Sequence, residues 1–150
     1  MKKEIKLELI NGSFDVVIEE GDFANEPGFD TSIWVSLFTD ARADESQVVK
    51  AENRRGWLGN IVSDIEDREL GGLLWLIEQR RLNQETLNEV LDYCRKSLQW
   101  IVEDQVALKV EVEGNIFPRR GLEVYITITS KSGVTSAHYI PLWEVTGNAY

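Results

Sequence analysis

Between Asn83 and Val112 the chain changes its hydrophobic period once, and that change limits the folds open to it. Leu87, Leu91, Cys94, Leu98 and Ile101 recur at steps of four and three, which places them on one stripe of an α-helix. From Val106 the period is two: Val106, Leu108, Val110 and Val112 alternate with Ala107, Lys109, Glu111 and Glu113, the pattern of a half-buried strand. Asn83 is placed to cap the helix and Glu85 falls in its positive first turn. A helix from Gln84 to about Val102 would be roughly 28 Å long. With so short a joint, helix and sheet must pack on each other.

The flanks extend this scheme. Ile5, Leu7 and Leu9 alternate with charged residues, Asn11-Gly12 offers a tight turn, and Phe14, Val16 and Ile18 alternate on the return, so residues 1–20 are expected to form a β-hairpin. Gly21 to Gly28 reads as a loop. Asp30 or Thr31 is expected to cap a helix that carries Ile33, Trp34, Leu37, Phe38 and Ala41 and ends near Arg42. Residues 43–58 are polar and irregular. Ile61, Val62 and Ile65 read as a short helical turn, and the stretch from Leu70 to Ile77 is dense in Leu and Trp but weakened by Gly71-Gly72. After Val106 to Glu113 comes a loop, GNIFPRRG. Leu122, Val124, Ile126 and Ile128 then alternate with polar partners, and Ser132-Gly133 turns into Val134 to Trp143. Pro141 cannot donate to a ladder, so it belongs on an edge or at a strand end. The fold expected is α+β in a single domain of 150 residues: a hairpin over 1–20, helices on one side over 30–105, and an antiparallel three-stranded meander over 106–144.

Charge and chemistry narrow the function. A net charge of −10 opposes binding to nucleic acid or anionic membranes. No apolar run reaches the length of a signal peptide or a membrane span. The single cysteine, Cys94, lies on the helical stripe and reads as a small buried hydrophobe. His138 is the one histidine, with no sequence neighbour to make it a nucleophile's base or a zinc ligand; it reads as a structural or surface residue. Arg54-Arg55-Gly56-Trp57 reads as a solvated turn with a docked Trp in preference to an anion contact. No carboxylate pair stands out for glycoside hydrolysis, and runs such as Asp64-Ile65-Glu66-Asp67 read as solvated faces. No metal or cofactor is expected.

An ordered set of short motifs supplies more. Gly21-Asp22, Leu37-Phe38-Thr39-Asp40, Arg54-Arg55-Gly56-Trp57-Leu58-Gly59-Asn60, Leu74-Trp75-Leu76, Glu85-Thr86-Leu87, Leu98-Gln99-Trp100 and Leu142-Trp143-Glu144 follow the order and spacing of a small tail protein of Mu-like phages. The chain resembles that family from about Asp22 to Glu144. It departs from the family at Leu58, Asn60 and Gly71-Gly72, where members often have Trp, Asp and Gly-Ser.

The resemblance implies a non-enzymatic baseplate component related to the sheath initiators of contractile tails. It would sit in the virion tail, be assembled in the bacterial host cytoplasm, and form a ring of copies, six by resemblance, that contacts the tail sheath protein and other baseplate proteins. The wider sheath-initiator group carries Glu-Pro-Arg between helix and strand; here Glu103, Asp104 and Gln105 hold that place. The expected mode of contact is strand addition to the last strand through Val134, Ser136, His138 and Tyr139, with Arg119 and Arg120 beside it and Trp57 as an anchor. The plainer reading of these residues is an intrachain strand, a polar loop and a core Trp. Two other classes stay open: a peptidoglycan-degrading glycosidase of the tail, and a non-phage adaptor domain.

Overall fold

The structure is a computed structural model that describes residues 4–11, 13–64, 68–78, 80–118 and 121–144, apart from the side chains of Trp143 and Glu144. Its first six strands are short: β1 (Glu4–Ile5), β2 (Leu7–Ile10), β3 (Ser13–Val16), β4 (Ile18–Glu19), β5 (Asp22–Phe23) and β6 (Asn25–Glu26). The expected hairpin exists where β2 pairs with β3, Leu7 facing Val16, but it does not continue outward. Ile5 pairs instead with Asn25, and Ile18 with Phe23, so three two-stranded ribbons meet at one point. A closed ring of backbone hydrogen bonds joins them there: Lys6 N to Ala24 O at 2.8 Å, Ala24 N to Val17 O at 2.8 Å, and Val17 N to Lys6 O at 3.1 Å. The strands exchange partners at this ring. The loop expected over Gly21 to Gly28 therefore contains β5 and β6, because Glu20 and Gly21, at φ 52° and 85°, make a tight hairpin turn. Gly12 of the first turn lies outside the described residues.

The ribbons rest on α1 (Asp30–Phe38). Phe14 packs against Trp34 and Phe38, with ring centroids 5.1 and 5.5 Å away. Neither Asp30 nor Thr31 caps the helix; Phe29 holds the N-cap position without a side-chain bond. Glu4 of β1 does the work from outside, its carboxylate accepting from Ser32 N at 3.2 Å and Ser32 Oγ at 2.5 Å. Thr31 Oγ1 donates to Ile5 O and accepts from Leu7 N, which ties the helix to the ribbons. The helix stops at Phe38, earlier than Arg42, because Asp40 enters a parallel bridge with Gly72. Gly71, at φ 115°, has space for no Cβ: one would lie 2.4 Å from Thr39 O. The Gly71-Gly72 pair thus admits a close backbone crossing and is no flaw in a helix. The Leu- and Trp-rich segment after it forms a 3-10 helix over Leu74–Ile77.

The expected long helix is α2 (Gln84–Leu98), followed after Gln99 by a last turn, α3 (Trp100–Glu103). Asn83 Oδ1 accepts from Thr86 N at 2.8 Å, the predicted cap, and Arg95 and Lys96 complement the negative C-terminal end. The sheet follows as β7 (Ala107–Phe117), β8 (Gly121–Ser130) and β9 (Thr135–Glu144), antiparallel in that order. Strand β7 runs through Gly114 to Phe117, where a loop was expected.

The core forms where the α2 stripe meets one face of this sheet. Leu87, Val90, Cys94, Leu98 and Ile101 are buried against Leu122, Val124, Ile126 and Ile128, with Ile33, Leu37, Ile77 and Ile140 closing the cluster. Burying such side chains contributes roughly 1.5–3 kcal/mol each. The helix lies directly on Gly114, where a Cβ would stand 2.9 Å from Leu91 Cδ2.

One sequence expectation fails here. Leu108 is 59% exposed and Val106 43%, while Ala107 is buried at 3%. A register shift between Ala107 and Lys109 inserts one residue and reverses the facing of everything before it. The same joint contains Gln105, at φ 55°, with Gln105 N bonded to Val102 O and Val106 N to Ile101 O, a Schellman end with Gln in the place that suits Gly. Gln105→Gly is expected to raise stability by about 1 kcal/mol in urea unfolding, since Gly occupies that conformation without strain. Gly114→Val is expected to lower it by about 1–3 kcal/mol in the same assay, through overpacking against α2.

Candidate functional site

A three-stranded sheet has two edges, and this one treats them differently. The β7 edge is bulged at Ala107/Lys109 and carries Lys109, Glu111 and Glu113, with Lys109 Nζ bonded to Glu111 Oε1 at 2.6 Å. Bulges and charges are the usual protection of an edge against further pairing. Strand β9 lacks both over Thr135–Ile140. Its irregularity lies beyond that stretch, where Glu123 pairs with Pro141 and Leu122 with Trp143, so the proline falls at the bulge of an edge strand as its chemistry requires. Among the described residues no strand lies on the far side of β9. Thr135, Ala137 and Tyr139 face outward, and the Tyr139 ring lies 5.5 Å from that of Tyr125.

The one side chain in that stretch that can carry a positive charge points inward. His138 keeps 10% of its side chain exposed, and its Nδ1 lies 2.5 Å from Asp30 Oδ1 at the start of α1. With the proton on Nδ1, Nε2 accepts from Ser136 Oγ at 3.0 Å. The order of these bonds matches a serine-hydrolase relay, but acyl transfer also needs an open nucleophile and donors for the oxyanion. The larger clefts have other linings. The chain of bonds instead docks β9 on α1, so His138 and Ser136 support the edge from behind. Asp30, 108 positions away, left no local signal by which sequence could have paired it with His138.

The remaining expected site residues are scattered. Val134 is exposed in the β8–β9 turn, one residue before β9, where its carbonyl accepts from Ser130 N at 2.9 Å. Arg119 and Arg120 lie outside the described residues. Trp57 is not a core residue: it is 49% exposed and covers Gly59, at the rim of a cleft of about 420 Å³ that it shares with Arg68, Trp100 and Asp104. Arg54 and Arg55 are structural. Arg54 Nε donates to Ala43 O at 2.5 Å, while Arg55 pairs with Asp40 at 3.2 Å and lies 4.7 Å above the Trp75 ring.

At the helix-to-strand joint, Glu103 accepts from Gln99 Nε2 and Asp104 forms a two-pronged ion pair with Arg68. The guanidinium holds the Asp104 carboxyl below its ordinary range, and Asp104 in turn raises Arg68. A carboxylate held ionised in this way is a poor proton donor for glycoside hydrolysis. Asp104 N donates to Trp100 O at 2.8 Å, a bond that a proline at this position would forgo. Cys94 is fully buried, and desolvation pushes its thiol up to about 12.

Helices packed on one face of a three-stranded antiparallel sheet define an α+β protein. The chain belongs to the family described as Phage protein GP46, which matches residues 29–135. It is 28% identical over 125 residues to baseplate protein gp46 of Escherichia phage Mu, covering 82% of this chain and 84% of that relative. It is 31% identical over 102 residues to Mu-like prophage FluMu protein gp46 of Haemophilus influenzae, covering 68% of each.

Two outcomes follow for the side chains described above. A thiol reagent at pH 8 is expected to label Cys94 only at the rate of global unfolding, in native protein followed by mass spectrometry. His138→Ala is expected to destabilise the fold by about 0.5–1.5 kcal/mol in thermal or urea unfolding, because it removes the hydrogen bonds to Asp30 and Ser136.

Proposed function

We propose that the chain is a structural component of a contractile-tail baseplate, located in the virion tail, where it receives an extended strand of the sheath protein along β9. The observation that carries the reading is the contrast between edges. The β7 edge has a bulge and an exposed ion pair, whereas over Thr135–Ile140 the pairing with β8 is regular, no second strand is paired among the described residues, and His138 is turned inward. An added strand would gain affinity from main-chain hydrogen bonds and register from Thr135, Ala137 and Tyr139. The printed names of the relatives, a baseplate protein and a Mu-like prophage protein, support the tail setting. Copies placed around the tail axis would present this edge repeatedly, as a platform for the first sheath ring.

Deleting residues 134–150 is a poor test, because it removes the buried Ile140 and the His138 tie along with the edge. Ala137→Lys with Tyr139→Lys places charge on the outer face of the edge and leaves both in place. The double variant is expected to lose at least tenfold in affinity for purified sheath protein of the same genome, with its circular dichroism and melting temperature retained. Sheath binding at the wild-type level by the folded variant would exclude β9 as the acceptor.

A further inference from the structure

The bulge and the Lys109–Glu111 pair guard only the beginning of the β7 edge. Beyond the bulge β7 pairs with β8 without a break from Lys109 to Phe117, and its end, Gly114 to Phe117, carries no charge. The register fixes which backbone groups each edge shows. Ser130 N donates to Val134 O across the β8–β9 turn, so Ser130, Ile128, Ile126 and Val124 aim their polar groups at β9, and the residues between them aim theirs at β7. On β7 the partners of those intervening residues, Lys109, Glu111, Glu113 and Asn115, turn toward β8. Val110, Val112, Gly114 and Ile116 therefore direct their backbone polar groups out of the sheet at its β7 edge. By the same alternation Thr135, Ala137 and Tyr139 do so at the β9 edge.

A side chain from the core helix stands in the lane beside β7. Arg95 Nη2, from the last turn of α2, donates to Val112 O at 3.0 Å. An added strand would lie about 4.8 Å from β7 and would bring its own N–H group to that same oxygen. The guanidinium already occupies this position. Its other arm holds it there, since Arg95 Nη1 donates to Asp92 Oδ1 at 3.0 Å. A planar, permanently charged fork serves both acceptors at once. Neither the helix dipole nor the ion pair with Asp92 requires the second arm to reach a strand edge.

We propose that Arg95 is an edge-blocking residue, which keeps β7 of one copy from adding to β9 of another. A second β7 paired antiparallel about Val112 would set Glu111 against Glu113, a like-charge pairing. Strand β9 has no bulge over Thr135–Ile140, so it is the complementary edge. A β7-to-β9 contact leaves one edge of each kind open at its ends and would run on into a filament. The block does not rest on the baseplate reading; under that reading it leaves β9 of each closely spaced copy available to the partner strand.

The test is sedimentation equilibrium of the purified full chain over a range of concentrations, with circular dichroism and melting temperature recorded alongside. Arg95→Ala and Arg95→Met, the second keeping an apolar stem, are expected to stay folded and to self-associate at least tenfold more tightly than wild type, although each makes an acidic chain more acidic. Adding Ala137→Lys and Tyr139→Lys is expected to return the association to the wild-type level. Asp92→Ala leaves the Val112 contact in place and is expected to sediment as wild type. Wild-type sedimentation by the folded Arg95 variants would overturn the proposal. So would association that persists with both lysines in β9, or association of Asp92→Ala equal to that of Arg95→Ala.

Discussion

Exclusion of water between the α2 stripe and the inner face of β8 is the contact on which the rest of the structure depends. Leu87, Val90, Cys94 and Leu98 can reach Leu122, Val124, Ile126 and Ile128 only because Gly114 lets the helix come down onto the sheet. Once helix and sheet are joined, α1 closes the same core through Ile33 and Leu37, and the Gly71-Gly72 crossing holds its end. The ribbons depend in turn on α1, through the Phe14, Trp34 and Phe38 rings and the Glu4 carboxylate. Loss of the α2 contact would therefore leave each later layer without the surface on which it rests.

Packing on one face of a sheet also decides what is left for partners. The helices take the inner face of β7–β9, and the hydrogen-bonding edges remain. A bulge and charges close the β7 edge, at the cost of reversing Leu108 into solvent. β9 is held in extended form by its pairing with β8 and is supported from behind by Asp30, His138 and Ser136. An edge held rigid in this way loses less entropy when a strand is added than a mobile one would. At the other end of the chain, the ribbons keep like charges opposed, an arrangement that lowers their own stability.

Much of this was legible in the residues. Period and capping located α2 and its buried stripe, including Cys94 and the Asn83 cap, and alternation located β7, β8 and β9. The ordered motifs pointed to the Mu-like tail family, to which the chain belongs. The candidate site was less legible. The last strand begins at Thr135, so Val134 falls in the turn before it, and His138 was grouped with the contacting residues when its side chain turns to α1. Trp57 could be read as core or anchor from sequence, and it is half exposed.

Local periodicity determined the elements, because a helical or strand pattern is a property of neighbouring side chains and needs no knowledge of the rest of the chain. Composition set an expectation about partners, because a net charge of −10 opposes binding to phosphate backbones. Tertiary structure decided the rest: which residue begins the inward phase of β7, which end of the N-terminal hairpin changes partners, and where β9 docks on α1. Each of these depends on contacts between residues far apart in the chain, such as Asp30 with His138, Asp40 with Gly72 and Lys6 with Ala24. Free energy gained at such contacts overrides local pattern wherever the two disagree, as at Leu108, and no window along the sequence contains both partners.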